Sequence, residues 1–174
     1  MLSSEVRLER LRADHATALL AFERANRAYF ARYISDRGDA FFADFAAVLD
    51  ARLAEQDAGV CHFHVVVDER GELIGRVNLV DVEEGGADLG YRIGERWAGR
   101  GVATEAVAQV CRLAAGAYGL GELIASTAVG NTGSRTVLER NGFTLVGEQV
   151  VAGKPGVRYR RSLERAESAG PADY

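Results

Sequence analysis

The sequence predicts a single α/β domain, and three observations carry that expectation. At 174 residues the chain suits one domain with a substantial core. At 48% hydrophobic and 26% charged it lies outside the disordered, collagen-like and disulfide-scaffold classes. Stripes at helical spacing and alternating β-branched runs follow one another without internal repeat or interdomain linker. The domain is expected over residues 1–164, with residues 165–174 a polar, flexible tail carrying Gly170-Pro171.

Residues 5–12 alternate charged and apolar side chains and suit a first strand. Asp14 then stands where a helix N-cap belongs, ahead of Ala18, Leu19, Phe22, Ala25 and Tyr29 at helical spacing. Residues 35–39 form a loop. A second helix carries Phe41, Phe42, Phe45, Val48, Leu49 and Leu53 in one stripe and ends at Asp57-Ala58-Gly59. Residues 61–68 and 73–82 make a hairpin about Asp68-Glu69-Arg70-Gly71. A third antiparallel strand covers 88–94. A glycine-bearing loop, a long helix over 102–118, a strand over 123–129 and a short helix over 132–141 follow. Residues 143–151 and 157–163 close the chain as a second hairpin.

The formal net charge of −4 gives no electrostatic reason to coat nucleic acid or an anionic membrane. The first residues lack the basic flank and apolar run of a secretory signal, and no stretch approaches the roughly 20 apolar residues that cross a bilayer. A soluble, cytoplasmic protein is the expectation. Cys61 and Cys111 lack CxxC spacing and suit reduced, packed thiols. His62 and His64 share a strand face, a spacing compatible with metal, but no third ligand follows in pattern and no metal is expected.

The informative stretch runs from Asp88 to Phe143. Arg96-Trp97-Ala98-Gly99-Arg100-Gly101-Val102-Ala103 lies between a strand and a helix. A helix N-terminus leaves amide N–H groups without partners and carries a partial positive charge. Glycines at 99 and 101 remove the side chains that would hold a ligand off that backbone, which makes the segment a candidate pyrophosphate cradle. A plain strand-to-helix turn is the alternative. A P-loop is excluded because no lysine follows the glycines, and a dinucleotide fingerprint would need glycine where Thr104 stands. The second segment is Asn131-Thr132-Gly133-Ser134 with Leu138-Glu139-Arg140-Asn141-Gly142-Phe143. Taken alone, Asn131 is an N-cap and Gly142 a helix stop.

Together these segments closely resemble the GNAT superfamily of acyl-CoA-dependent N-acetyltransferases, in particular its RimJ/RimL-type branch, which acetylates protein N-termini or small amines. Arg96, Gly99 and Gly101 fill the Arg/Gln-x-x-Gly-x-Gly/Ala signature. Gly90-Tyr91, Ala103-Thr104-Glu105-Ala106 and Asn-x-x-Ser before Leu-Glu-x-x-Gly-Phe match the branch. The order of elements fits over residues 5–163.

The resemblance implies a mixed sheet of about seven strands, mostly antiparallel with a splayed parallel pair of fourth and fifth strands, flanked by about four helices. It implies acetyl-CoA as cosubstrate. Pantetheine would pair with the fourth strand near Tyr91, Arg92 and Ile93. The pyrophosphate would rest on Arg96, Trp97, Ala98, Gly99, Arg100, Gly101, Val102 and Ala103. Asn131 would reach the pantetheine arm, and Ser134 would bring a hydroxyl to the thioester sulfur, a helix-start serine being the alternative. A primary amine, either a protein N-terminus or a small molecule, would attack the thioester directly. Proximity and an N–H facing the oxyanion would supply much of the acceleration. Asn26, Arg27 and Tyr29 are candidate acceptor-selecting residues. Both monomers and homodimers fit.

Two catalytic groups of some relatives do not carry over: Ser126 stands where they place a glutamate base, and Leu138 where they place a tyrosine acid. A thiol leaving group with pKa near about 8.5 hardly needs an acid. An α-amino group near pKa about 7.7–8 is roughly one-tenth neutral at pH 7, whereas a lysine amine near about 10.4 is almost wholly protonated. The chain therefore suits α-amino groups better than lysine side chains. Glu83, Glu84 and Asp88 are the candidate bases, with a solvated turn as the alternative. The same missing residues keep open a second class of function, a CoA-binding module without turnover.

Overall fold

The computed structural model describes residues 5–163, and the expected tail over 165–174 lies outside them. Strand β1 (Arg7–Arg10) leads through a 3-10 turn at Ala13–His15 into α1 (Ala16–Phe30), α2 (Asp39–Ala43) and α3 (Phe45–Asp57). Three strands follow: β2 (His62–Val67), β3 (Leu73–Glu83) and β4 (Gly86–Ile93). After a 3-10 turn at Glu95–Trp97 come α4 (Val102–Ala115), β5 (Glu122–Ala128) and α5 (Thr132–Arg140). The hairpin β6 (Thr144–Val151) and β7 (Lys154–Ser162) closes the chain.

The seven strands make one sheet in the order β1-β2-β3-β4-β5-β7-β6. Every pairing is antiparallel except β4 with β5, which are parallel neighbours joined through α4. Alternation sorts the side chains onto two faces. On β2, Phe63, Val65 and Val67 join the cluster under α1 and α3, while Val66 joins the cluster under α4 and α5. Burial on both faces is why that strand ends in three consecutive valines. On α4, Val102, Ala106, Val107, Val110, Cys111 and Ala114 form a fully buried stripe. The alanines let the helix approach the sheet closely, and each buried valine contributes roughly 1.5–3 kcal/mol.

Besides shifted ends, such as α4 stopping at Ala115 and β7 starting at Lys154, three details differ from the sequence expectation. Asp14 does not cap α1: the His15 ring takes the Arg12 N–H at 3.0 Å, and the Asp14 carboxylate instead accepts from Arg12 Nε. The aromatic stripe over 41–53 is two helices, so the described residues hold five α-helices rather than about four. The break falls at Asp44 (φ −109°, ψ 29°). Phe45 and Leu49 pack into the core, whereas Phe42 lies under the Arg27 guanidinium, 4.3 Å from its centre. Finally, β4 starts at Gly86 because Gly86 and Ala87 pair with Glu122 and Leu123.

His62 and His64 serve the core. His62 stacks on Tyr118 with ring centres 3.7 Å apart. His64 bridges the Val77 carbonyl and the Tyr118 hydroxyl, and burial pushes its imidazole down to about 4. Among the described residues no three His, Cys, Asp or Glu side chains gather as a metal site, and no helix is long and apolar enough to cross a membrane.

Candidate active site

The site begins with a fault in the sheet. β4 and β5 pair only at Gly86↔Glu122, Ala87↔Leu123 and Asp88↔Ile124. Beyond Asp88, β4 stays with β3 as far as Ile93, and β5 stays with β7 as far as Ala128. Each strand is held on its outer edge, so their inner edges part. The gap opens a cavity of about 920 Å³ lined by both strands, the segment before α4 and the start of α5.

Which backbone groups face the gap follows from period two. The Gly94 N–H donates to the Ile74 carbonyl on β3 at 2.8 Å. Counting back along β4, the groups of Arg92 and Gly90 also face β3, and those of Ile93, Tyr91 and Leu89 face the open edge. Of the residues expected to offer free backbone, Tyr91 and Ile93 do so. Arg92 is paired with β3 through its backbone and is also among the residues that line the cavity.

At the mouth, the Ala98 N–H bonds to Glu95 and the Glu105 N–H to Gly101; the amides from Gly99 to Thr104 have no backbone partner among the described residues. Among the described residues no side chain caps α4. Gly99 (φ 73°) and Gly101 (φ 79°) hold the left-handed backbone that points these donors outward, and nothing lies within 4 Å of where a Cβ would stand on either. A row of free N–H groups at the N-terminus of a 14-residue helix fits a diphosphate. The loop is braced by Asn26, whose Oδ1 accepts the Glu95 N–H at 2.9 Å and whose Nδ2 donates to the Phe22 carbonyl.

On the far side of the gap, Asn131 caps α5 by accepting the Ser134 N–H at 3.2 Å through Oδ1. Its Nδ2 has no protein partner among the described residues, and Asn131 lines the cavity. Ser134 Oγ lies 3.0 Å from the Tyr91 hydroxyl. Burial pushes the Tyr91 phenol up, against the opposite pull of that hydrogen bond, so the pair is neutral and keeps its protons.

Tyr29, Tyr91, Arg92, Ile93, Trp97, Ala98, Gly99, Gly101, Val102, Ala103, Asn131 and Ser134 therefore line one cavity. Arg96 and Arg100 do not. The Arg96 side chain is 80% exposed beside Glu72, and Arg100 lies over the Trp97 ring. Asn26 and Arg27 do not line it either. Asn26 holds the loop, and Arg27 is tied bidentately to Asp36 and again to Asp39. Arg76 and Asn78, which the sequence did not single out, line the cavity, as does Thr104, which it did not place in the site. Thr104 was legible as the last orphan amide of the helix. Arg76 became visible only when the β3–β4 register set it opposite Arg92.

Leu138 is a core residue, and Ser126 lines the cavity with its hydroxyl donating to Gln149 at 3.0 Å. Asp88 stands at the point where the strands part. Burial, then Asp81, then Glu83 push its carboxyl up, and Arg158 pulls it down. On the face under α1 and α3 lies a second cavity of about 1070 Å³, with Asp88 in its wall. It shares Arg76, Asn78 and Val80 of β3 with the first, so the two adjoin along that strand.

Residues 5–144 match the acetyltransferase (GNAT) domain family. The chain belongs to the GNAT acetyltransferase family. No curated protein sequence matches it. Several solved structures share its fold. The ribosomal-protein-S5-alanine acetyltransferase of Vibrio fischeri superposes with a TM-score of 0.85 at 19% identity, covering 94% of this chain and 96% of that one. RimJ of Mycobacterium smegmatis, in complex with CoA-disulfide, gives 0.84 at 22% identity over 95% and 85%. The spermidine N-acetyltransferase of Vibrio cholerae, in complex with CoA and spermine, gives 0.77 at 17% identity over 92% and 96%. The GNAT fold thus accounts for the sheet with its parted β4 and β5, and the chain is an N-acetyltransferase by family.

Proposed function

We propose that this chain transfers acetyl from acetyl-CoA directly to a primary amine, either a protein N-terminal α-amino group or a small-molecule amine, within a ternary complex. The observation that carries the reading is the row of amides from Gly99 to Thr104, without a backbone partner among the described residues, at the mouth of a cavity that runs between β4 and β5 to Tyr29 and Phe30 of α1 and adjoins a second cavity there. Two reactants can enter from opposite faces and meet, which is where the acceleration arises. The solved neighbours include an acetyltransferase of a ribosomal protein and one of spermidine, a range that supports an amine acceptor without choosing one. In this reading the enzyme works in the cytoplasm, without a metal ion, as a monomer or homodimer.

The cosubstrate supplies an activated acetyl group. The amides of Gly99–Thr104 hold its diphosphate, and the open edge of Leu89, Tyr91 and Ile93 pairs with the pantetheine arm. An N–H of that edge faces the oxygen on which charge develops. Asn131 Nδ2 donates to the arm, and the Tyr91–Ser134 pair donates to the sulfur. Asp88, at the base of the gap, accepts the proton shed by the amine, directly or through water. Its raised pKa brings the carboxyl closer to the pH at which such a base is effective.

A thiol-release assay with acetyl-CoA against N-terminal peptides, polyamines and aminoglycosides tests this. Saturable release with at least one amine is expected. Tight CoA binding with no release from any of them overturns catalysis and leaves a binding module.

A further inference from the structure

Where the two cavities meet, four charged side chains are packed together with unequal signs. Glu23 of α1 is almost wholly buried, its side chain 3% exposed. Around it stand Arg76 of β3 (Nε–Oε1 2.7 Å), Arg37 of the α1–α2 loop (Nε–Oε2 3.5 Å) and Arg92 of β4 (Nη1–Oε2 3.7 Å). Three guanidiniums face one carboxylate. Asp36, which also faces Arg92, is taken by Arg27.

The donors are under-used as well as over-charged. Nε of Arg37 and Nε of Arg76 are buried and make no hydrogen bond among the described residues, the short Arg76 contact being misaimed. Arg76 Nη1 does reach Asn78, whose amide turned oxygen-first accepts at 2.6 Å. The guanidiniums are nevertheless held in place. Arg92 lies over the Phe30 ring at 5.2 Å and Arg37 over Phe41 at 4.6 Å. Burial, then the proximity of Arg37, pushes Arg92 down to about 10. Positive charge that the fold itself leaves unbalanced, on fixed planar forks, is arranged to receive an anion.

We propose that Arg37, Arg76 and Arg92 form a subsite for an anionic group, carboxylate or phosphate, carried by the acceptor amine. This names the acceptor class of the site under Proposed function and rests on that reading. Arg76 and Arg92 are opposite one another, and so are Val80 and Asp88 four residues away along the same strands. Four strand steps are about 13 Å. An acceptor with its amine near Asp88 and its anion on the arginines spans that length, which an extended peptide does in about four residues. A free N-terminus followed by an acidic residue in the first few positions has the right form, and a polycation has the wrong one.

The test compares acceptors matched except for charge: Ser-Asp-Asp-Ala-amide against Ser-Asn-Asn-Ala-amide, 6-aminohexyl phosphate against 6-aminohexanol, and spermidine. Thiol release should show kcat/KM higher by about tenfold or more for an anionic member of a pair. In Arg37→Gln and Arg76→Gln that preference should fall severalfold, with the CoA affinity of Arg37→Gln, a residue outside the first cavity, unchanged by calorimetry as the control for folding. Whichever anionic member is favoured tells peptide from small molecule. Equal rates within both pairs, a preference for spermidine, or a preference that survives both substitutions overturns the subsite. If no amine releases thiol, the proposed activity has failed. The subsite is then judged by calorimetry of the acidic peptide on the CoA-loaded chain. Binding lost in Arg37→Gln upholds it, and no binding ends it.

Discussion

The Tyr91 hydroxyl and Ser134 Oγ lie 3.0 Å apart, joining β4 to the first turn of α5 across the gap between the parted strands. Ser134 is also the residue whose N–H is capped by Asn131. Its backbone is thus held by the cap, and its hydroxyl is held by tyrosine. A hydroxyl fixed in this way can face a leaving sulfur without reorganising. Ser134→Ala should lower kcat roughly tenfold to hundredfold while KM for acetyl-CoA changes little, because donors acting at the transition state affect turnover and not ground-state binding. Tyr91→Phe should give a smaller loss of the same kind. Unaltered turnover in both variants would remove the pair from the chemistry.

The phosphate cradle predicts a loss of binding. Gly101 sits at φ 79° with open space beyond it. Gly101→Glu should weaken CoA binding by at least about a hundredfold, since a carboxylate would stand before the diphosphate and an L-residue strains that backbone. Gly101→Ala separates the two effects: it bears the strain without the charge and should retain most of the affinity. Calorimetry on both decides. Equal affinity in the Glu variant and the wild type would rule out this loop as the anion site.

How much of this was legible in the sequence depended on whether the signal was local. The glycines at 99 and 101 signal a left-handed backbone and the asparagine at 131 a side-chain cap, and the structure sets them where a strand ends and a helix begins. Helix α4 was equally plain because its buried stripe has helical period. The break at Asp44 was not, since a stripe of six aromatic and aliphatic residues looks continuous until Phe42 is seen turned to Arg27. The arginine cluster was invisible for a related reason. Glu23, Arg37, Arg76 and Arg92 come from four separate segments, and only the β3–β4 register and the packing of α1 bring them together.

His64 predicts how stability follows pH. Its imidazole is held at about 4 by burial, against an ordinary value of 6.5. In the native chain it donates to the Val77 carbonyl and accepts from Tyr118, so the neutral ring is the one that fits. The unfolded chain therefore takes up a proton between pH 6.5 and 4 that the native chain refuses. Stability is full above pH 6.5, falls as pH drops through that window and levels off below about 4. The depression is worth about 3 kcal/mol. Urea unfolding at pH 7 and pH 4.5 should show this loss in the wild type and a flatter profile in His64→Gln. The variant starts from lower stability, because it forgoes the stack of hydrogen bonds. A pH slope identical in the two proteins would assign the acid sensitivity elsewhere.

Asn26 offers the sharpest contrast between a sequence expectation and the place the structure gives the residue. On the first helix, beside Tyr29, it suits an acceptor-selecting role. In the fold both ends of its amide are committed, Nδ2 to the Phe22 carbonyl and Oδ1 to the Glu95 N–H. The second bond crosses from α1 to the loop that presents Gly99 and Gly101. Asn26→Ala should therefore free that loop and leave the Glu95 N–H without its acceptor, a loss of about 0.5–1.5 kcal/mol. Steady-state kinetics should show KM for acetyl-CoA raised about twofold to tenfold and KM for the acceptor little changed. Asn26→Asp, which keeps the accepting oxygen, should recover most of the loss if the bond to Glu95 is what matters. The reverse split, with the acceptor KM moving and the cosubstrate KM still, would return Asn26 to the acceptor channel.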